Sequence, residues 1–168
     1  MLLPVEGVTL LSLRSMLSVH MLLGVALIPP VALKLGSAFY RFLRYYTGSA
    51  VFREKGPPQP AMRILVAPAL VASTIGLFGS GVVLLLLEHP DQLVYTVHKA
   101  SFIVWIGAIG IHVLAYARHV PALALADWTR GPRDAFGRAL RRRAVAGSLM
   151  AGVGIALITL PIVAAWHR

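Results

Sequence analysis

The sequence predicts an all-α polytopic membrane protein: a four-helix transmembrane bundle in one domain over residues 1–168, with both termini outside. Three observations carry that expectation. The composition is 58% hydrophobic and 13% charged, against about 25% charged in an ordinary soluble domain. Four segments reach the ~20 mostly apolar residues that a spanning helix needs. The basic residues lie between those segments and favour one side.

In chain order, the expected spans are about 15–37, 64–87, 94–117 and 144–166. Residues 1–13 are apolar but lack a basic n-region and a small-residue cleavage site, so they read as a retained segment and not as a signal peptide. Arg14 interrupts that first apolar run and is placed at the interface, its stem lying along the helix. The cytoplasmic loops are 38–63 and 118–143. With Lys34 at the end of the first span, they account for thirteen of the sixteen Lys+Arg. The 88–93 connection carries Glu88 and Asp91 instead, so the positive-inside rule places the basic loops in the cytoplasm.

The stretch 37–60 interleaves Phe39, Tyr40, Phe42, Tyr45, Tyr46 and Phe52 with Arg41, Arg44 and Arg53. It is expected to prolong the first helix along the interface, among anionic lipids, and to break at Gly56-Pro57-Pro58. A short basic surface helix is expected after Asp127-Trp128. Pro29-Pro30 and Pro68 are expected kinks whose freed carbonyls need partners. The net charge of +10 belongs to these membrane-flanking segments, so no nucleic-acid partner is inferred. The absence of cysteine excludes disulfides, thiolate-held Fe–S clusters and covalently attached c-type haem.

Ionisable groups within spans are expensive and mark candidate sites. Here they are His20, Lys34, His98, Lys99 and His112, while His89, His119 and His167 at helix ends read as interfacial. His98 and His112 are 14 residues apart, about four helical turns with ~40° left over, so both leave one face of the third helix about 21 Å apart along it. That spacing suits two porphyrins stacked along the membrane normal, one near each surface. His20 lies at the same depth in the first span as His98 does in the third, and the two spans run in the same direction. A bis-histidine haem site near the outer surface follows from topology and depth.

The inner position holds His112, and its second ligand stays open. Lys34 repeats the 14-residue spacing from His20, His119 lies at the helix end, and His112 can also serve alone or bond a neighbouring helix. Trp105 is midway between His98 and His112 on their shared face, as an aromatic bridge or a filler between cofactor edges. Arg14 and Lys99 are the outer cations available to haem propionates, and Arg41 and Arg44 the inner ones. Glycines on the second, third and fourth spans offer smooth walls, Gly81 and its neighbour Ser80 foremost.

Four spans, a histidine within the first and the His98-x13-His112 pair in the third resemble the four-helix b-type cytochromes, including the cytochrome b subunits of formate dehydrogenases and nickel-iron hydrogenases. Pro29-Pro30-Val31-Ala32-Leu33-Lys34-Leu35-Gly36, Tyr40-Arg41-Phe42, Arg44-Tyr45-Tyr46-Thr47-Gly48, Gly56-Pro57-Pro58 and His98-Lys99-Ala100-Ser101-Phe102 are similar to small actinobacterial membrane proteins of that cytochrome-like type. The resemblance covers about 14–116, and the fourth span carries no matching ligand. It implies haem b, one or two per chain, held by His20, His98 and His112. It also implies electron transfer within or across the cytoplasmic membrane of a bacterium, between a quinone or cytoplasmic donor and a redox partner.

Two other function classes remain: a haem-free structural anchor or assembly subunit, and a small proton-coupled carrier using His20, Lys34 and His112. No nucleotide loop, catalytic triad or flavin fingerprint is present, so the expectation is an electron-transfer subunit of an oxidoreductase and not a stand-alone enzyme. Self-association is compatible with this reading.

Overall fold

The computed structural model describes residues 13–48, 61–87, 91–117 and 135–166. His89, His119, His167, the expected break at Gly56-Pro57-Pro58 and residues 129–134 of the expected surface helix lie outside the described residues, as does the Arg14 side chain; residues 135–143 of that helix form the first turns of the last long helix and not a separate short one. The described chain is four helices: α1 (Leu13–Tyr46), α2 (Ala67–Leu86, entered through a π turn at Met62–Val66), α3 (Gln92–Ala117) and α4 (Ala135–Ala165). Each is long and apolar enough to cross a membrane, as a multi-pass protein requires.

The helices outrun the apolar segments at the basic end. α1 has 34 residues, about 51 Å at 1.5 Å per residue, against a hydrocarbon thickness of about 30 Å. It runs on from 37 to Tyr46 and stops where Gly48 takes a positive φ of 91°, a backbone state that glycine adopts without steric cost. α4 likewise begins at Ala135 and not at 144, taking in Arg138 and Arg141, Arg142 and Arg143. Hydropathy marks where the chain leaves the hydrocarbon, whereas Leu, Ala and Arg go on favouring helix beyond it.

The prolines lie where freed carbonyls need partners, as expected. The backbone stays helical through Pro29-Pro30, and the departure from helical φ/ψ falls at Met16 (φ −117°, ψ 16°). Proline's fixed φ is itself helical, so what it removes is a donor. Pro30 cannot bond the Ala26 carbonyl four residues back, and that carbonyl turns toward α4. A Cβ built on Gly152 would collide with Ala26 O and lie 3.0 Å from its carbon. Only a glycine lets the two backbones approach this closely, and its Cα–H groups are the donors available to the freed oxygen. Pro68 follows a turn in which Ala67 N–H reaches five residues back to Met62 O. That wider turn relieves the clash a proline ring makes with the carbonyl four residues before it.

α2 packs along α3 and α1 along α4, while α1 meets α2 over a shorter stretch. Among the described residues, no Cα of α3 comes within 8 Å of α1 or of α4. Gly76 gives α2 its close approach to α3, since a Cβ there would meet Ser101 Oγ at 2.6 Å. At the end assigned outside, Val25, Leu85 and Val163 form a buried cluster with Met21 and Leu22 beside it. Trp166 Nε1–H donates to Leu85 O at 3.3 Å, serving a carbonyl in the last turn of α2. Asp91 caps α3 there, its Oδ1 accepting Val94 N–H at 3.0 Å.

Large apolar side chains cover the outside, with Ile158 78% and Leu114 75% exposed. Lipid tails solvate such surface as well as a protein interior would, so helix association rests on close packing and internal hydrogen bonds. Gly152→Ala is therefore expected to lower the melting temperature of the detergent-solubilised protein, at a cost of about 1–3 kcal/mol for overpacking. Gly147→Ala on the same helix, where an added Cβ meets nothing within 4 Å, should leave it unchanged or raised. Equal melting points for the two variants would contradict the α1–α4 contact.

Candidate haem site

His20 leaves α1 and His98 leaves α3 at the outer end of the bundle, and the two helices make no close backbone approach. Their imidazoles nevertheless meet: the ring centroids are 6.4 Å apart and the planes stand at 89°. Both residues are half-buried. His98 is six residues into α3 and Ser80 six residues before the end of α2, so each lies about 9 Å along its helix from the outer terminus.

The orientation of His98 is set by α2. Its Nδ1 lies 3.1 Å from Leu77 O and 3.1 Å from Ser80 Oγ. A carbonyl oxygen can only accept, so Nδ1 carries the hydrogen and donates it. The Ser80 hydroxyl spends its own hydrogen on Gly76 O at 2.5 Å, with Leu77 O a second acceptor at 3.2 Å. Its oxygen is therefore also an acceptor from His98. With the proton on Nδ1, the neutral ring carries its basic lone pair on Nε2, the state in which histidine ligates metals. Ser80 is buried at 8% exposure, so water does not compete for this bond. Gly81 completes the seat, since a Cβ there would lie 3.2 Å from His98 Cε1.

The other sequence-predicted residues are arranged more loosely. His112 is exposed on α3, its ring 5.0 Å from that of Tyr116 on the same helix. Lys34 is exposed on α1, and no hydrogen bond joins it to His112. Trp105 is half-buried on α3, and exposed Lys99 places Nζ 5.1 Å over the Tyr95 ring, one turn toward the outer end. Among the described residues no group of three or more His, Cys, Asp or Glu could hold a bare metal ion. What the site offers is two imidazoles from different helices brought side by side.

Sequence reasoning singled out Ser80 and Gly81 as small wall residues. It did not foresee that Leu77, through its backbone, and Ser80, through its hydroxyl, would serve His98. The signal available was a hydroxyl next to a glycine at the depth of the histidines.

In haem-free protein carrying ¹⁵N-labelled histidine, Nδ1 of His98 is expected to carry hydrogen. A ring with hydrogen on Nε2 and none on Nδ1 would contradict the Leu77 and Ser80 hydrogen bonds. In comparisons with protein-family models, curated proteins and solved structures, the chain finds no match in any of the three.

Proposed function

We propose that this chain is a haem b-binding membrane cytochrome in which His20 and His98 are the axial ligands and the protein is an electron carrier. The observation that carries the reading is the imidazole pair. With metal–imidazole bonds of about 2.0–2.1 Å, and about 1.2 Å from a ligating nitrogen to its ring centre, two rings on opposite sides of one ion stand about 6.4 Å apart. The centroids are 6.4 Å apart here. The tautomer of His98 is the ligating one, and the ring is held by the kind of backbone acceptor that metal-bound histidines use.

When bound, haem b would supply an iron that takes one electron from a reduced donor and passes it to an acceptor, with both axial positions filled by protein. The chain's own residues do the rest. Leu77 and Ser80 orient His98, Gly81 leaves room for its ring, and Val25, Leu85 and Val163 pack together at the same end of the bundle. His112 is the residue toward which a second, inner haem would be directed, with its other ligand open. In this reading the donor is a membrane quinone or a cytoplasmic protein and the acceptor a redox partner subunit. The setting is the cytoplasmic membrane of a bacterium, and the chain is a subunit of an oxidoreductase.

One observation favours a haem-free anchor instead: the His98 bonds to Leu77 and Ser80 would tie α3 to α2 whether or not a cofactor binds. Variants separate the two. His20→Ala and His98→Ala are each expected to lose most of the Soret absorbance of protein expressed with added haem. His112→Ala and Lys34→Ala should keep the outer-site spectrum. A protein that stays colourless, or one whose spectrum survives loss of both His20 and His98, would overturn the cytochrome reading.

A further inference from the structure

The seat of His98 contains more acceptor capacity than orientation alone requires. Leu77 O by itself would fix the tautomer. Ser80 adds a second oxygen at the same 3.1 Å distance, and donates its own proton to Gly76 O at 2.5 Å. A hydroxyl that donates a strong hydrogen bond becomes a better acceptor, because hydrogen bonds in a chain polarise one another. The Gly76 carbonyl, the Ser80 hydroxyl and the His98 Nδ1–H thus form a relay of polarisation that ends on the imidazole. Ser80 is buried and faces α3 at this point, so the effect is not shared with solvent.

We propose that Ser80 is a positioning residue that sets the electron-donating strength of His98 and, through it, the reduction potential of the haem held by His20 and His98. The inference rests on the cytochrome reading above. Drawing the Nδ1 proton toward two acceptors gives the ring imidazolate character and makes Nε2 a stronger donor, which favours the ferric over the ferrous ion. Acceptors that hydrogen-bond the other ring nitrogen of a metal-bound histidine act in this way. Losing the Ser80 oxygen leaves Leu77 O alone, keeps the tautomer, and weakens that donation. The ferrous form should then gain. His20 is untouched by the change, so both axial ligands remain.

The test is an equilibrium redox titration of the haem-loaded full chain in detergent, comparing wild type with Ser80→Ala and Ser80→Thr. Ser80→Ala should bind haem in the same amount and show a threefold to tenfold shift toward the ferrous form. At 59 mV per tenfold for one electron that is a rise in midpoint of about 30–60 mV. Ser80→Thr keeps the hydroxyl and should restore the wild-type midpoint. In haem-free ¹⁵N-labelled protein, the Nδ1-bound proton of His98 should move upfield in Ser80→Ala and return in Ser80→Thr. An unchanged midpoint in a Ser80→Ala protein that retains its haem overturns the role of Ser80 and leaves the cytochrome reading standing. A wild-type chain that takes up no haem overturns both.

Discussion

An imidazole inside a bilayer must have its N–H satisfied by protein, because an unpaired polar group there costs several kcal/mol. In this chain the acceptors for His98 are a backbone carbonyl and a hydroxyl on the neighbouring helix. Much else at the outer end of the bundle follows from that bond. It requires α2 and α3 to lie close, which Gly76 and Gly81 permit. It puts the lone pair of His98 on Nε2. It leaves α3 joined tightly to α2 and held away from α1, so that His20 and His98 address one another across a gap no backbone contact closes.

The second organising constraint is the bilayer itself. Thirteen basic residues and three acidic ones, Glu54, Asp127 and Asp134, belong to the side assigned to the cytoplasm, so the chain's entire +10 lies on that side. The other side is balanced, with Arg14, Lys99 and Arg168 against Glu6, Glu88 and Asp91. The imidazole pair lies near the balanced side. At the basic side α1 and α4 extend as helices beyond the apolar segments, carrying arginines and exposed Phe39, Tyr40, Phe42 and Tyr46 to headgroup level.

Sequence and structure agree where one physical signal dominates. Hydrophobic length alone determines the four spans, and depth counting alone pairs His20 with His98. The continuation of α1 beyond its apolar segment was legible from the aromatic and basic residues after 37, whereas the early start of α4 was not, because hydropathy reports the surrounding solvent and not the backbone. The prolines announce freed carbonyls that need partners, but not which partner: Gly152, beside the Ala26 carbonyl, is 126 residues away in sequence. The seat of His98 depends on a backbone carbonyl, which carries no residue signature. His112 marks the other limit, since equal spacing on one helix says nothing about what the facing helices bring to it.

In the proposed cytochrome His20 and His98 are the axial pair, and their ring planes stand at 89°. Perpendicular imidazoles leave the iron orbitals that interact with them nearly equal in energy, and the ferric ion then gives a highly anisotropic low-spin signal at low field. Low-temperature electron paramagnetic resonance of the oxidised, haem-loaded protein tests this directly. The account predicts that signal and its loss in His20→Ala and in His98→Ala. A high-spin ferric signal in the wild type, or no haem signal at all, would contradict it.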